Sequence, residues 1–312
     1  MTVDEQKSLL TIAVFAAFAD RARADREREE IRRVTDASGG ESNFAALYRD
    51  VLLARTSVAA EAAKLASPDL RRLAFELAVG ACDADGLRND AETRFLAELG
   101  QALGLSQPAM AEAAAIADAL ATAPLETAPQ PAAVAASTPS VADAELDRMI
   151  LNDAIRNGAL ELLPQSMAAL AVIALQMKMV YRIGRAHGCA LDRGRVEDLF
   201  ATVGVDPTGQ YLEQIGRKLA DGRFDSTAGG IAGAPPHGAA GMARSFATTY
   251  ALGHVASRHY AGGGTMDANR LKDAFAALAG QARSLQRQYA PQIERQARTM
   301  DVAHIVQMVR SR

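Results

Sequence analysis

Phe75 to Leu105 reads FELAVGACDADGLRNDAETRFLAELGQALGL. An apolar run ending at Cys82 meets Asp83-Ala84-Asp85-Gly86, and a second apolar periodicity leaves from Asn89-Asp90-Ala91-Glu92. Apolar residues at three- and four-residue steps on both sides predict two helices, with an acidic turn between them. This turn is the one stretch that looks built to hold something.

A weaker copy lies upstream, at residues 16–31, AAFADRARADREREEI. In both copies an Ala-Asp pair (Ala19-Asp20, Ala84-Asp85) precedes a glutamate by seven positions (Glu27, Glu92), and an apolar residue follows four later (Ile31, Leu96). If Glu92 is placed at the last position of a calcium loop, Gly86 falls at the sharp turn, and Asp83 and Asp85 fall at ligand positions. Ala81 then stands where the first carboxylate belongs, and Arg21 replaces the glycine in the upstream copy. Two half-sites would share one divalent cation if the fold brings Asp20, Glu27, Asp85 and Glu92 together. A second reading stands beside this one. Asn89-x-x-Glu92 is a capping box, and carboxylates are favoured at a helix N-terminus.

Composition points to an all-α protein. The 312 residues are 49% hydrophobic and only 5% aromatic, without tryptophan; abundant alanine favours helix, and few aromatics disfavour a large sheet core. The net charge of −3 gives no reason to expect nucleic-acid binding. Cys82 and Cys189 belong to no CxxC pair, which fits a reducing cytoplasm. MTVDEQKSLL lacks a basic n-region, so no signal peptide is expected, and no run reaches the ~18 apolar residues of a spanning helix.

Along the chain, Leu9 to Ala17 opens a helix, and residues 41–66 read as another through Phe44, Leu47, Val51 and Ala54. Ser67-Pro68 and Ser106-x-Pro108 start further helices. Residues 122–141, rich in Ala, Pro, Ser and Thr, read as a linker. Two helical domains are therefore expected, at residues 1–121 and 142–312. In the second, Asp143 to Asn157 forms a helix that Gly158 can end. Met167 to Gly184 forms the most apolar one: a core helix with a polar edge, or a membrane-surface helix whose Lys178 and Arg182 reach anionic lipid. Residues 192–203 and 207–220 follow as shorter helices.

The Gly-rich stretch at 226–264 has neither the Gly-Lys-Ser/Thr of a phosphate loop nor a preceding strand. Ala239, Ala243, Ala247, Ala251 and Val255 make a small-residue stripe for close helix packing, within the core, between copies or in a membrane-inserting hairpin. Residues 266–280 form another helix, and the Arg-rich tail beyond, with Pro291 near its middle, is a solvated face or a dimer arm, or else meets an acidic partner or lipid headgroups. No histidine pattern suggests zinc, and no nucleophile elbow appears.

Residues 1–120, with both Asp-to-Glu repeats, resemble TerB-like tellurite-resistance domains. That resemblance implies an all-helical domain of two related halves with metal-binding acids, here Asp20, Glu27, Asp85 and Glu92. Residues 163–278 look like the YcjF-type GTPase-associated family. The likeness is carried by Leu175-Gln176-Met177-Lys178-Met179-Val180-Tyr181-Arg182-Ile183-Gly184, by His187-Gly188, and by the glycines approaching Ala247 to Gly253. It implies a domain associated with small GTPases, often at the inner membrane.

The expected function is that of a non-enzymatic adaptor. Its N-terminal acids (Asp20, Glu27, Asp83, Asp85, Glu92) would hold calcium, magnesium or manganese. Its C-terminal half would meet a GTPase, a membrane surface or a second copy. The alternatives are a self-associating scaffold without metal and, with less to recommend it, a metal-dependent hydrolase.

Overall fold

The computed structural model describes residues 1–19, 43–86, 88–122, 125, 139–163, 166–220 and 238–310. Asp20, Glu27, most of the expected linker and the glycines at 229–233 lie outside the described residues. Among the described residues there are thirteen helices and no strand, so the protein is all-α. They group into two compact units. The first comprises Met1–Thr122, Pro164–Leu170 and Pro207–Ala228; the second comprises Ala123–Leu163, Ala171–Asp206 and Gly229–Arg312.

The first unit is organised on α1 (Val3–Ala17). Thr2 and Glu5 close a reciprocal capping box at its start, and Leu9, Ile12, Ala13, Val14 and Ala16 are wholly buried. Around it lie α2 (Asn43–Leu52), α3 (Val58–Ala63), α4 (Pro68–Asp83), α5 (Asp90–Ala102), α6 (Gln107–Ala121) and α10 (Pro207–Ala220). The single helix expected over residues 41–66 is two. Ala54 takes a left-handed φ of 50°, and Ser57 restarts the chain by accepting from the Ala60 amide. An alanine in that region has no steric reason to be there except the turn it makes, which periodicity does not reveal. Ser67 caps α4 with Pro68 in its first turn, as the sequence suggests.

A buried carboxylate ties α3 to α1. Glu61 accepts from Ser8 Oγ (2.8 Å), Thr56 Oγ1 (2.5 Å) and Lys64 Nζ (2.9 Å). Burial pushes its pKa up, but the hydrogen bonds from Thr56, Lys64 and Ser8 outweigh that and hold it below the ordinary value. The folded chain thus binds this proton less tightly than the unfolded chain. The associated stability is present above the unfolded pKa of about 4.3 and is lost as pH falls through the folded value. Glu61→Gln is expected to flatten the acid limb of stability, read as a smaller difference between urea midpoints at neutral pH and near pH 4.

The second unit is built from α7 (Pro139–Glu161), most of α8 (Met167–Ala186), α9 (Arg193–Val203), α11 (Gly238–Ala261), α12 (Ala268–Ala297) and α13 (Val302–Arg310). Gly158 does not end α7. It lies inside the helix, where a Cβ would sit 3.3 Å from Ile293 Cδ1, so close packing and not helix termination explains the glycine. Gly253 of α11 likewise faces Ile150 of α7, and Ala247, Ala251 and Val255 are buried. The C-terminal three residues of the stripe therefore serve an internal helix contact, while Ala239 is exposed and Ala243 half-buried. Residues 266–280 and much of the tail beyond form one 30-residue helix that continues through Pro291.

One described helix, α8, is long and apolar enough to cross a membrane, and 89% of that apolar window is buried within the fold. Lys178 is itself buried, and its Nζ donates to the Val309 carbonyl at 3.1 Å. The cation thus meets the negative end of α13, where the helix dipole favours it. Arg182 lies beside Asp153.

Candidate functional site

The acidic turn forms where α4 ends and α5 begins. Ala84 leaves the helix still right-handed, and Gly86 adopts φ 85°, a conformation glycine takes without a Cβ penalty. The Gly86 amide donates to the Asp83 carbonyl at 2.9 Å, closing the turn. Asn89 then caps α5, its Oδ1 accepting from the amides of Ala91 (2.8 Å) and Glu92 (3.0 Å). Glu92 reaches back to accept from the Asn89 amide at 2.8 Å, completing the box.

The carboxylates are distributed over different tasks. Asp83 is 3% exposed and accepts from Arg88 Nε at 2.8 Å, with a second contact from Arg88 Nη2 to its other oxygen. Burial raises the Asp83 pKa, and Arg88 counters it. Glu92 is buried at the first turn of α5, and Asp85 is half-buried beside Gly86. Cys82 points its Sγ at the Ala16 carbonyl, 3.8 Å away; burial, reinforced by Glu92 and Asp83, pushes its thiol well up, away from thiolate chemistry. The structure thus brings Asp83, Asp85 and Glu92 to one turn of the chain. Asp20 and Glu27 lie outside the described residues. Among the described residues, no three His, Cys, Asp or Glu side chains group closely enough to hold a metal ion.

Sequence reasoning missed a second feature. Glu145, Arg148, Asn152, Asp153 and Arg156 of α7 line a cleft of about 340 Å³ together with Arg182 of α8. The signal was present in two pieces: the three- and four-residue steps along α7, and Lys178 with Arg182 four apart on α8. Pairing those faces requires the tertiary fold.

Comparison of the chain with protein-family models, with curated proteins and with solved structures finds no match.

Proposed function

We propose that the protein is a non-enzymatic helical adaptor in which the acidic turn fixes the angle between α4 and α5, and a partner is met on other surfaces. The observation that carries this reading is the prior engagement of the acids. Asp83 is held by Arg88, and Glu92 by the first turn of α5. A cation at this turn would have to draw both away from those contacts, at the cost of a buried ion pair and a helix cap. The hydrolase alternative needs the same carboxylates and meets the same cost.

Few large apolar side chains are offered to a partner: among the described residues Val3 and Leu53 are the exposed ones. On the described surface, recognition therefore falls to charge. Arg283, Arg287, Arg295 and Arg298 are exposed on one broad face of the C-terminal half of α12, where the acidic Glu294 is partly buried. That face suits an acidic protein surface, whether a GTPase, as the YcjF-like resemblance implies, or an acidic patch on a second copy.

The test is calorimetry of the full chain with calcium, magnesium and manganese, alongside the unfolding of Glu92→Ala. We expect no saturable heat, and a loss of roughly 1 kcal/mol in Glu92→Ala that is the same with and without a chelator. Saturable heat that disappears in Asp85→Ala would replace this reading with the cation-holding one.

A further inference from the structure

The cleft between α7 and α8 is a place where cations converge. Arg156 Nη1 donates to Asp153 Oδ1 at 2.6 Å, and Arg182 Nη1 lies 3.5 Å from Asp153 Oδ2. Two guanidinium groups from two helices thus meet at one carboxylate. Arg148, two turns of α7 before Arg156, lines the same cleft. Three guanidiniums face two carboxylates, Asp153 and Glu145, and buried Lys178 stands close enough to act on both Asp153 and Arg182. The excess is positive, and it lies in a concavity whose low-dielectric walls strengthen it.

The cleft also contains unused hydrogen-bonding capacity. Asp153 is 4% exposed; its Oδ2, shielded from solvent, has only the long contact with Arg182 and accepts no hydrogen bond, and Arg156 Nε donates none. Buried polar atoms of this kind call for a partner. A carboxylate ligand is satisfied by one guanidinium fork, whereas the oxygens of a phosphate accept from several donors at once, as the spread of Arg148, Arg156 and Arg182 offers. A phosphate that draws Arg182 towards itself uncovers Oδ2, an acceptor that then calls for the opposite group, a hydroxyl donor.

We propose that this cleft binds a phosphate group adjoining a free hydroxyl, as on a sugar or polyol phosphate. Arg148, Arg156 and Arg182 take the phosphate oxygens, and Asp153 Oδ2 accepts from the hydroxyl. The volume suits a small metabolite of that kind. A glycerol-phosphate lipid headgroup shares the chemistry.

The experiment is titration calorimetry of the full chain with glucose 6-phosphate, inorganic phosphate and glucose. In parallel, the protein is sedimented with phosphatidylcholine vesicles with and without phosphatidylglycerol. Glucose 6-phosphate is expected to saturate, inorganic phosphate to bind about 10-fold more weakly, and glucose not at all. Arg182→Gln should weaken glucose 6-phosphate at least ~10-fold at unchanged helicity. Arg148→Gln, at an exposed position that folding does not depend on, should weaken it about 3-fold. Pelleting on phosphatidylglycerol that Arg182→Gln abolishes, without heat from the soluble phosphate, would support the same chemistry on a lipid headgroup. The absence of both saturable heat up to about 10 mM and vesicle binding would overturn the proposal. So would binding that both arginine variants retain.

Discussion

Thr249→Val is expected to lower the stability of the second unit by roughly 2–4 kcal/mol, although it exchanges one hydroxyl for a methyl of nearly the same volume. Thr249 is wholly buried on α11. Its Oγ1 accepts from Asn157 Nδ2 of α7 and from Gln176 Nε2 of α8, each at 3.0 Å, and donates to the Ser245 carbonyl one turn back at 2.8 Å. Both lone pairs and the proton are used. Ser245 extends the connection by donating to Glu161 Oε2 at 3.0 Å. Valine leaves two buried amide groups, each about 1–3 kcal/mol to strand, and contributes only a methyl in return. Thr249→Ser keeps the hydroxyl and is expected to cost about 1 kcal/mol for the lost methyl. Urea unfolding followed by ellipticity separates them: the valine midpoint should fall at unchanged slope, well below that of serine. Equal midpoints would mean that the three-helix junction draws nothing from this hydroxyl.

How much of this was legible beforehand depended on how far apart in sequence the causes lie. The helix at Met167–Ala186 and the Asn89–Glu92 capping box are local: their period and spacing sit within a few residues, and the structure has them where the sequence puts them. Gly158 misled because it has a strong local meaning. The cause of Gly158 is Ile293, far along the chain, and Pro291 is carried by a helix whose buried Leu278, Ala282 and Ile293 hold it on either side. Asp83 fell at a ligand position in the sequence, and its contact with Arg88, five residues on, depends on the conformation of the turn, which spacing alone does not give. The arginine cleft was invisible for the same reason on a larger scale, since it needs Asp153 and Arg182 from separate helices.

Gly80→Ala and Gly280→Ala are the same substitution in two helix interiors, and they are expected to act with opposite sign. At Gly80, on α4, a Cβ would come within 2.9 Å of Tyr211 Cε2 and closer still to Cζ and Oη. Tyr211 of α10 is itself wholly buried, and its hydroxyl donates to the Leu77 carbonyl at 3.3 Å, so the ring has nowhere to go. Burial already pushes that phenol far above its ordinary pKa, which keeps it the neutral donor. Overpacking of this kind costs about 3 kcal/mol, against about 1 kcal/mol returned by alanine's better helix propensity, so a net loss of about 2 kcal/mol is expected. Gly280, on α12, has nothing within 4 Å of the added methyl. There the propensity term stands alone, and alanine should stabilise by up to ~1 kcal/mol. The double variant Gly80→Ala/Tyr211→Leu checks the mechanism. Removing the ring should relieve the clash, so the two losses should fall short of adding by at least about 1 kcal/mol. Strict additivity, or a Gly80→Ala protein as stable as the parent, would mean that α4 and α10 do not pack through this glycine.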